Sequence, residues 1–557
     1  MLETVGYSWP WMAVILGYGI LTHGIILVND ATYGDGWMLE FWHEHKDWKS
    51  MRRFFSEVGM VNLYFEHRML SYLPWRRTAY RVISLVSVLA VALAVFLASV
   101  YTDTFNPPQA TTIALLLLSY PSYAVTFESN VSLQYTFKVA LFYIGCLLAV
   151  ATISSFDAGH LTVFALSMLL FFVAFNANSV LVYFWGFLLF YAWLAHTRSS
   201  GGLTGHEITK IALLATLPFA YWVVKETLTP RHGYYKSYNR IRISPFSALQ
   251  VAARAFRYGI DVPMLKPVLE FVGSKQATLL LLSVFLGFLA FDFGEFLAMP
   301  AVDALKILAA GYGLFLLCAV PYVAVGQGFL EGGWASKNFM LFHLPFALIV
   351  FGWLQLVLGA FAVLMIPVIL CANLFYIVRI HLLHIAASVK DKALIRWLAA
   401  NPRLNDASVI KIRDVHWIEY PHERKSTVYW PGYLSCMVKA IWPDRSILVV
   451  PDYWAASEGR PLTSKEVEDV LEKTTIRYVF APQVQPGPQY LVTVAAPEER
   501  FGSAKFERPF DERGDVHPSK QPPMVRLAIE YLYFKWFSPD RLGDLFDRRF
   551  SISGSRL

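Results

Sequence analysis

The chain has 557 residues, of which 56% are hydrophobic and only 16% are charged. A soluble protein carries more charge, about a quarter of its residues, so this composition argues against a soluble protein and indicates a membrane protein. The formal net charge of +7 favours contact with anionic lipids or anionic substrates. Nucleic acid is not an expected partner, because the basic residues lie in loops between apolar segments.

Apolar stretches of about 20 residues, long enough to cross a hydrocarbon core, recur through the first two thirds of the chain. The first has no basic segment before it and no small-residue cleavage site after it, so we expect an uncleaved helix. We predict a mostly α-helical, polytopic membrane bundle. It would have about eleven spans, near residues 10–28, 80–101, 111–126, 134–153, 161–180, 181–197, 209–225, 277–298, 304–325, 339–358 and 360–384.

Two long loops, 29–79 and 226–276, interrupt these spans. The first is rich in Trp, His, Arg and Glu, which predicts one or two amphipathic helices lying on the membrane. The second interleaves Tyr with Arg and continues into an amphipathic stretch, 246–259. A protein that only transports would not need two such loops on one face, so we expect them to form an active-site face.

After about residue 388 charged residues and prolines become more frequent and apolar runs shorten. Strands alternating with helices predict a small soluble α/β domain. The predicted strands lie near 409–415, 446–450, 476–481 and 490–495, and the predicted helices near 390–399, 433–441, 464–474 and 524–536. The predicted domains are therefore a membrane domain over 1–387 and a soluble domain over 388–557.

Two carboxylates, Asp30 and Asp35, lie just beyond the first predicted span. The glycines around Asp35 allow a tight turn and close approach of a ligand to the backbone. Tyr33 and Trp37 offer a platform for a lipid headgroup or a sugar ring. The alternative is an ordinary polar helix end with interfacial aromatic residues.

This organisation resembles the GT-C superfamily of membrane glycosyltransferases. In that family the first span ends in an acidic motif, often two adjacent acids and an aromatic residue. Here Asn29 stands in place of the first acid, Asp30 in place of the second, and Tyr33 is displaced by two residues. The departure at Asn29 leaves open whether Asp30 or Asp35 matches the family's acid. The resemblance covers about residues 1–385. Further stretches that are similar to the family are 42–44, 52–53, 320–326 and 334–338.

The resemblance implies transfer of a sugar from a polyprenyl-phosphate donor to a glycan, lipid or protein acceptor, with inversion by direct displacement. A carboxylate would take the acceptor's proton, and Arg or Lys would bind the leaving phosphate. Asp30 is the preferred base because it lies closest to the membrane, with Asp35 as the second candidate. The expected phosphate-binding residues are Arg52, Arg53, Arg240, Arg242 and Lys337. The expected substrate-binding residues are Tyr33, Trp37, His43, Glu128, His232, Tyr234 and Tyr235.

Several of these residues have an alternative explanation. Arg52 and Arg53 would otherwise reach toward lipid headgroups, and the cluster around Arg240 would otherwise touch anionic lipid. No cofactor is expected. His43, His45 and His67 are of a type that binds divalent metals, but His43 and His45 would point to different faces of a helix. A metal is therefore not favoured.

An odd number of spans with a cytoplasmic N-terminus places both long loops and the C-terminal domain outside, in a bacterial inner membrane with an outward-facing active site. The positive-inside rule instead places the basic loops in the cytoplasm. We expect the outward placement, because a phosphate-binding site is basic wherever it lies. Membrane lipids are expected partners.

Two other functions compete with a GT-C transferase. A transporter or flippase of lipid-linked saccharide would show paired halves or broken helices near the midplane, and the sequence shows neither pattern. A polysaccharide ligase or polymerase would use Arg and His of the 226–276 loop. Only the GT-C hypothesis requires an acid at the end of the first span.

Overall fold

The residues that the computed structural model describes make up most of the chain. They are 2–30, 32, 36–121, 133–153, 155–198, 202–232, 236, 245–273, 282–283, 294–326, 329, 338–414, 431–452, 459–473, 487–495 and 524–557.

Helices account for most of the first 400 residues. They are α1 (Leu2–His23), α2 (Gly36–Glu44), α3 (Trp48–Val58), α4 (Val61–Leu70), α5 (Arg76–Tyr101), α6 (Pro107–Leu118), α7 (Lys138–Ala151), α8 (Ala158–Ala174), α9 (Asn178–Arg198), α10 (Gly205–Leu228), α11 (Pro245–Phe256), α12 (Val262–Gly273), α13 (Gly294–Leu297), α14 (Ala301–Val325), α15 (His343–Leu358) and α16 (Ala362–Ala399).

Among the described residues, six stretches are long and apolar enough to cross a membrane. The structure therefore confirms a mostly helical chain with membrane-length apolar helices, whereas the number of about eleven spans stays a prediction. The six stretches are Ser8–Leu27, Arg76–Tyr101, Asn178–Arg198, Gly205–Leu228, Ala301–Val325 and His343–Ala399, and three shorter apolar helices are Pro107–Leu118, Tyr135–Ala151 and Ala158–Ala174.

Polar caps in the sequence set where several of these helices begin. Asn106 and Gln109 form a reciprocal capping box at the start of α6, with proline in the first turn. Thr204 and Glu207 form the same box at the start of α10. Asp157 accepts a hydrogen bond from the first turn of α8. These caps satisfy backbone N–H groups that an apolar helix cannot satisfy itself.

Small residues let neighbouring apolar helices approach closely. A Cβ atom on Gly311 of α14 would lie 2.9 Å from Cγ1 of Ile349 in α15, and one on Gly352 would lie 2.8 Å from Cγ of Leu308. Close contact between such helices is the main packing interaction inside a membrane, where no hydrophobic effect drives helices together. These two glycines therefore fix the α14–α15 pair.

The C-terminal α/β region, residues 400–557, contains a four-stranded sheet of order β2-β1-β3-β4. β1 pairs in parallel with β2 and β3, and β4 pairs antiparallel with β3. The strands are β1 (Val409–Asp414), β2 (Leu448–Pro451), β3 (Gln489–Ala495) and β4 (Ser551–Arg556), and the helices are α17 (Pro431–Ile441), α18 (Ser464–Lys473), α19 (Met524–Phe537) and α20 (Leu542–Arg549).

Three predicted strands lie within one or two residues of their predicted places, and the strand predicted near 476–481 falls outside the described residues. The fourth strand of the sheet, β4, was not predicted. The predicted domain boundary at 387/388 falls inside α16, which continues unbroken from the apolar bundle to Ala399. Whether residues 388–557 form a separate domain stays a prediction.

Candidate functional site

Both long loops and the C-terminal α/β region meet on one side of the helical bundle, which we call the Asp30 face. The backbone N–H of His232 donates to the carbonyl of Glu57 over 3.2 Å, which joins the second loop to α3. Arg379 of α16 forms an ion pair with Glu270 of α12 at 2.7 Å. Side chains of α2 and α3 share one apolar cluster with β1, β2 and α17.

Asp30 lies on this face, in contact with two helices that are distant from it in the sequence. Its carboxylate forms ion pairs with Nζ of Lys392 at 2.5 Å and with Nζ of Lys535 at 3.2 Å. The hydroxyl of Tyr531 donates to Oδ2 of Asp30 over 2.9 Å, and Lys392 also donates to that hydroxyl. The residue after the first span is thus joined to α16 and α19.

The two lysines determine the protonation of Asp30. Partial burial on its own would raise the pKa of this carboxyl, but the charge and hydrogen bond of Lys392, the charge of Lys535 and the Tyr531 hydroxyl outweigh it. Together they lower the pKa of Asp30 to about 2. Asp30 is therefore ionised at neutral pH and is a weak proton acceptor, since an efficient general base has a pKa near the working pH.

A second acid, Glu40, is buried where α2 meets the start of α5. Its side chain is 1% exposed and accepts from Arg76 at 2.7 Å and from Arg77 at 3.1 Å. Arg77 also pairs with Glu44, one turn later on α2, at 3.2 Å. A buried carboxylate is stable only when it is paired in this way, so these ion pairs fix α2 against the bundle.

A buried tyrosine hydroxyl joins two histidines between α2, α4 and α5. The Tyr80 hydroxyl lies 2.6 Å from Nδ1 of His67 and 3.4 Å from Nε2 of His43. Burial lowers the pKa of His43 to about 4 and that of His67 to about 3, with smaller contributions from neighbouring positive charges. Both imidazoles are therefore neutral at pH 7. His45 is exposed, so His43 and His45 do point to different faces of the helix.

These histidines do not assemble a metal site in the described part of the chain. No group of three His, Cys, Asp or Glu side chains there has an arrangement that could hold a metal ion. One ring nitrogen of His43 and one of His67 are directed at the Tyr80 hydroxyl instead.

A further ion pair lies at the start of α7. Lys138 is fully buried and donates to Glu66 of α4, which also accepts from Asn62 at 3.3 Å. The other oxygen of Glu66, Oε2, is buried and has no hydrogen-bond partner among the described residues. A buried carboxylate oxygen without a donor is costly.

Four other predicted site residues lie within the described part of the chain. Arg52 and Arg53 are exposed on α3, where Arg53 pairs with Glu57 at 3.1 Å. Trp37 packs in the first turn of α2 against the α/β region. His232 is exposed beside the end of α3. The remaining predicted residues, Tyr33, Asp35, Glu128, Tyr234, Tyr235, Arg240, Arg242 and Lys337, lie outside the described residues.

Sequence reasoning missed the main partners of Asp30. Lys392 is 362 positions away from it and Tyr531 is 501 positions away. Lys535 had one local signal, because it is the only basic residue in the last turn of an otherwise aromatic helix end. Nothing in the sequence pairs any of the three with Asp30.

The described structure defines a class of protein: a membrane-type helical bundle with a charged face and a small α/β sheet packed on that face. Comparison with protein-family models, with curated proteins and with solved structures gives no match. A more specific assignment therefore rests on the sequence resemblance and on the chemistry of the Asp30 face.

Proposed function

We propose that this protein is a GT-C-type membrane glycosyltransferase that moves a sugar from a polyprenyl-phosphate donor to a cell-envelope glycan, lipid or protein acceptor. The observation that carries the proposal is the gathering of acids and cations just beyond the first span. Asp30 pairs with lysines of α16 and α19. Glu40, on the following helix α2, pairs with Arg76 of α5. A reaction at a lipid-linked phosphate needs both kinds of charge at this depth.

The environment of Asp30 favours different roles for Asp30 and Asp35. A carboxylate with a pKa of about 2 that is held by two lysines is better suited to orienting cations than to accepting a proton. The proposal therefore makes Asp35 the general base that deprotonates the acceptor hydroxyl. Asp30 holds Lys392 and Lys535 in place at the membrane boundary.

The leaving lipid phosphate would be bound by basic residues of the second loop and nearby. Arg240, Arg242 and Lys337 remain the proposed ligands, since bidentate Arg–phosphate hydrogen bonds are strong and geometrically selective. Arg77 is added to this set because its side chain is 46% exposed on the Asp30 face although it pairs with Glu40 and Glu44. The proposed reaction requires no cofactor or metal.

The proposal includes about eleven spans in a bacterial inner membrane, with the Asp30 face outward. The contacts among both loops and the α/β region support their lying on one side of the membrane. Direct displacement of the lipid phosphate by the acceptor hydroxyl would invert the anomeric centre.

The test is a transfer assay with purified full-length protein in nanodiscs. The donors are radiolabelled undecaprenyl-phosphate monosaccharides, supplied one at a time with an envelope extract as acceptor. We expect Asp35→Asn to lower transfer by about 10²–10⁴-fold, the usual loss for a positioned general base, and Asp30→Asn to lower it less. The control is Asp103→Asn, because Asp103 is exposed at the opposite end of α5.

Three results would overturn the proposal. Wild-type rates in both Asp30→Asn and Asp35→Asn would exclude a base in this motif. Transfer that requires His232 but neither acid would favour a ligase or polymerase. Movement of an intact lipid-linked saccharide across the bilayer without transfer would favour a flippase.

A further inference from the structure

Helix α19 exposes an apolar and aromatic stripe that no described part of the chain covers. Ile529, Tyr533, Trp536 and Phe537 are 55%, 56%, 61% and 76% exposed. Their spacing of i, i+4, i+7 and i+8 puts them on one side of the helix. A contiguous exposed stripe of this kind marks a surface that binds something apolar.

The opposite side of α19 fixes the helix at the end of the first span. Leu527, Ala528 and Tyr531 are buried in the core of the α/β region. Lys535 pairs with Asp30 and also donates to the carbonyl of Val28 over 3.3 Å. The first candidate span ends at Leu27, so the C-terminal half of α19 lies at the level where hydrocarbon gives way to headgroups.

Polarity changes along the exposed side of α19. Arg526 is 71% exposed and pairs with Glu530 at 2.9 Å. By helical spacing Arg526 lies on the same side as Tyr533 and Phe537, which follow it by seven and eleven residues. The exposed side therefore carries a charged residue in its first turn and aromatic residues in its last two turns, as expected for a helix whose C-terminal end enters an apolar phase.

A second helix, α4, also exposes apolar and aromatic side chains, and so does the first span. In α4 and the turn after it, Phe65, Met69 and Tyr72 are 56%, 72% and 71% exposed. On α1, Ile20 and Leu21 are 54% and 70% exposed, as expected for residues that face lipid. Because Lys535 contacts Val28, the C-terminal end of the α19 stripe lies beside the end of this apolar span.

We propose that α19 is an interfacial helix whose Tyr533–Trp536–Phe537 end inserts into the headgroup–hydrocarbon boundary of the bilayer. A lipid bilayer is the occupant, because the C-terminal end of the stripe lies beside the end of an apolar span and because Tyr and Trp favour this boundary. The helix carries two basic residues and one acid, so the interaction does not require anionic lipid. This inference does not rest on the proposed reaction.

The test places a fluorescent probe on each end of α19 in the full-length protein. Trp536→Cys and Tyr533→Cys are labelled with NBD in phosphatidylcholine nanodiscs, with Arg526→Cys as the matched control on the same side of the helix. The unmodified chain, labelled in parallel, gives the background of the native cysteines. Because all three side chains are exposed, these substitutions leave the core intact.

We expect nitroxide-labelled acyl chains to quench the probes at 533 and 536 at least threefold more than the probe at 526, and iodide to show the reverse order. Equal iodide quenching at all three positions would overturn the inference. Protection from iodide without quenching by lipid would also overturn it, since a protein would then cover the stripe. Energy transfer between labelled molecules in larger nanodiscs would identify that protein as a second copy.

Discussion

We predict that the ion pairs of Asp30 stabilise the packing of α19 against the end of the first span. Asn has nearly the shape of Asp but no charge, so Asp30→Asn leaves Lys392 and Lys535 close together without their counter-ion. The pKa of Asp30 falls from an ordinary 3.8 to about 2 in the folded protein. A fall of that size corresponds to about 2 kcal/mol of stabilisation before solvent screening. Because the side chain is 36% exposed, screening reduces this to about 1–2 kcal/mol.

Amide hydrogen exchange in α19 measures the free energy of local opening of this helix. Opening of α19 should become about 5–30-fold more frequent in Asp30→Asn at pH 7, the factor that corresponds to 1–2 kcal/mol. The control is Asp540→Asn, because Asp540 is exposed just beyond α19. In Asp540→Asn the opening of α19 should change by less than about twofold, as for most surface substitutions.

The same ion pairs predict a pH dependence. The pKa of Asp30 is lowered on folding, so its contribution is complete above the unfolded value of 3.8 and is lost as the pH falls through about 2. Protection of α19, corrected for intrinsic exchange, should decline between about pH 4 and pH 2 in the wild type. Asp30→Asn should lack this step. Equal protection of α19 in both proteins at pH 7 would refute the reasoning.

Three further predictions concern other parts of the chain. Replacing Arg240 and Arg242 by Ala should weaken use of a lipid-phosphate donor about ten- to a hundredfold in donor titrations, since each lost charge-assisted hydrogen bond costs about 1.5–3 kcal/mol. Tyr80→Phe removes the hydroxyl between two buried imidazoles and should lower stability by about 1–3 kcal/mol in scanning calorimetry. Cysteines at Ser50 and Ser464 should be labelled by an impermeant maleimide from the same, extracytoplasmic side of the membrane.

Each of these has an outcome that contradicts it. Unchanged donor titration in the double arginine variant would show that the cluster only touches lipid. For the Tyr80 variant the matched control is Tyr72→Phe, because Tyr72 is 71% exposed; equal stability losses in the two variants would exclude a special role for the buried hydroxyl. Labelling of Ser50→Cys and Ser464→Cys from opposite sides would show that the first long loop and the α/β region lie on different sides of the membrane.

Local patterns in the sequence were sufficient for much of the fold. Apolar length identified the membrane-type helices, and alternation of short apolar runs identified β1, β2 and β3. Helical periodicity correctly separated buried His43 from exposed His45. β4 was not predicted because its sequence, SISGSR over Ser551–Arg556, has little β propensity. It is an edge strand that forms on the hydrogen-bonding groups of β3.

The site was harder to predict, because its contacts join residues that are far apart in the sequence. Asp30 was recognisable from its place after an apolar span. Its partners Lys392 and Lys535 come from helices that only tertiary packing brings to the end of α1. The change of composition near residue 388 suggested a boundary, but charged residues continue a helix as well as apolar ones do. The structure therefore has no break there.

The unbroken length of α16 has a mechanical consequence. Its 38 residues make a rod of about 57 Å at 1.5 Å per residue, nearly twice the thickness of a hydrocarbon core. A change in tilt of 10° about its N-terminal end would move the C-terminal end about 10 Å sideways, from that same length. Tilt is how a long helix adapts to bilayer thickness. The α/β region at the end of this lever would then move with the lipid composition of the membrane.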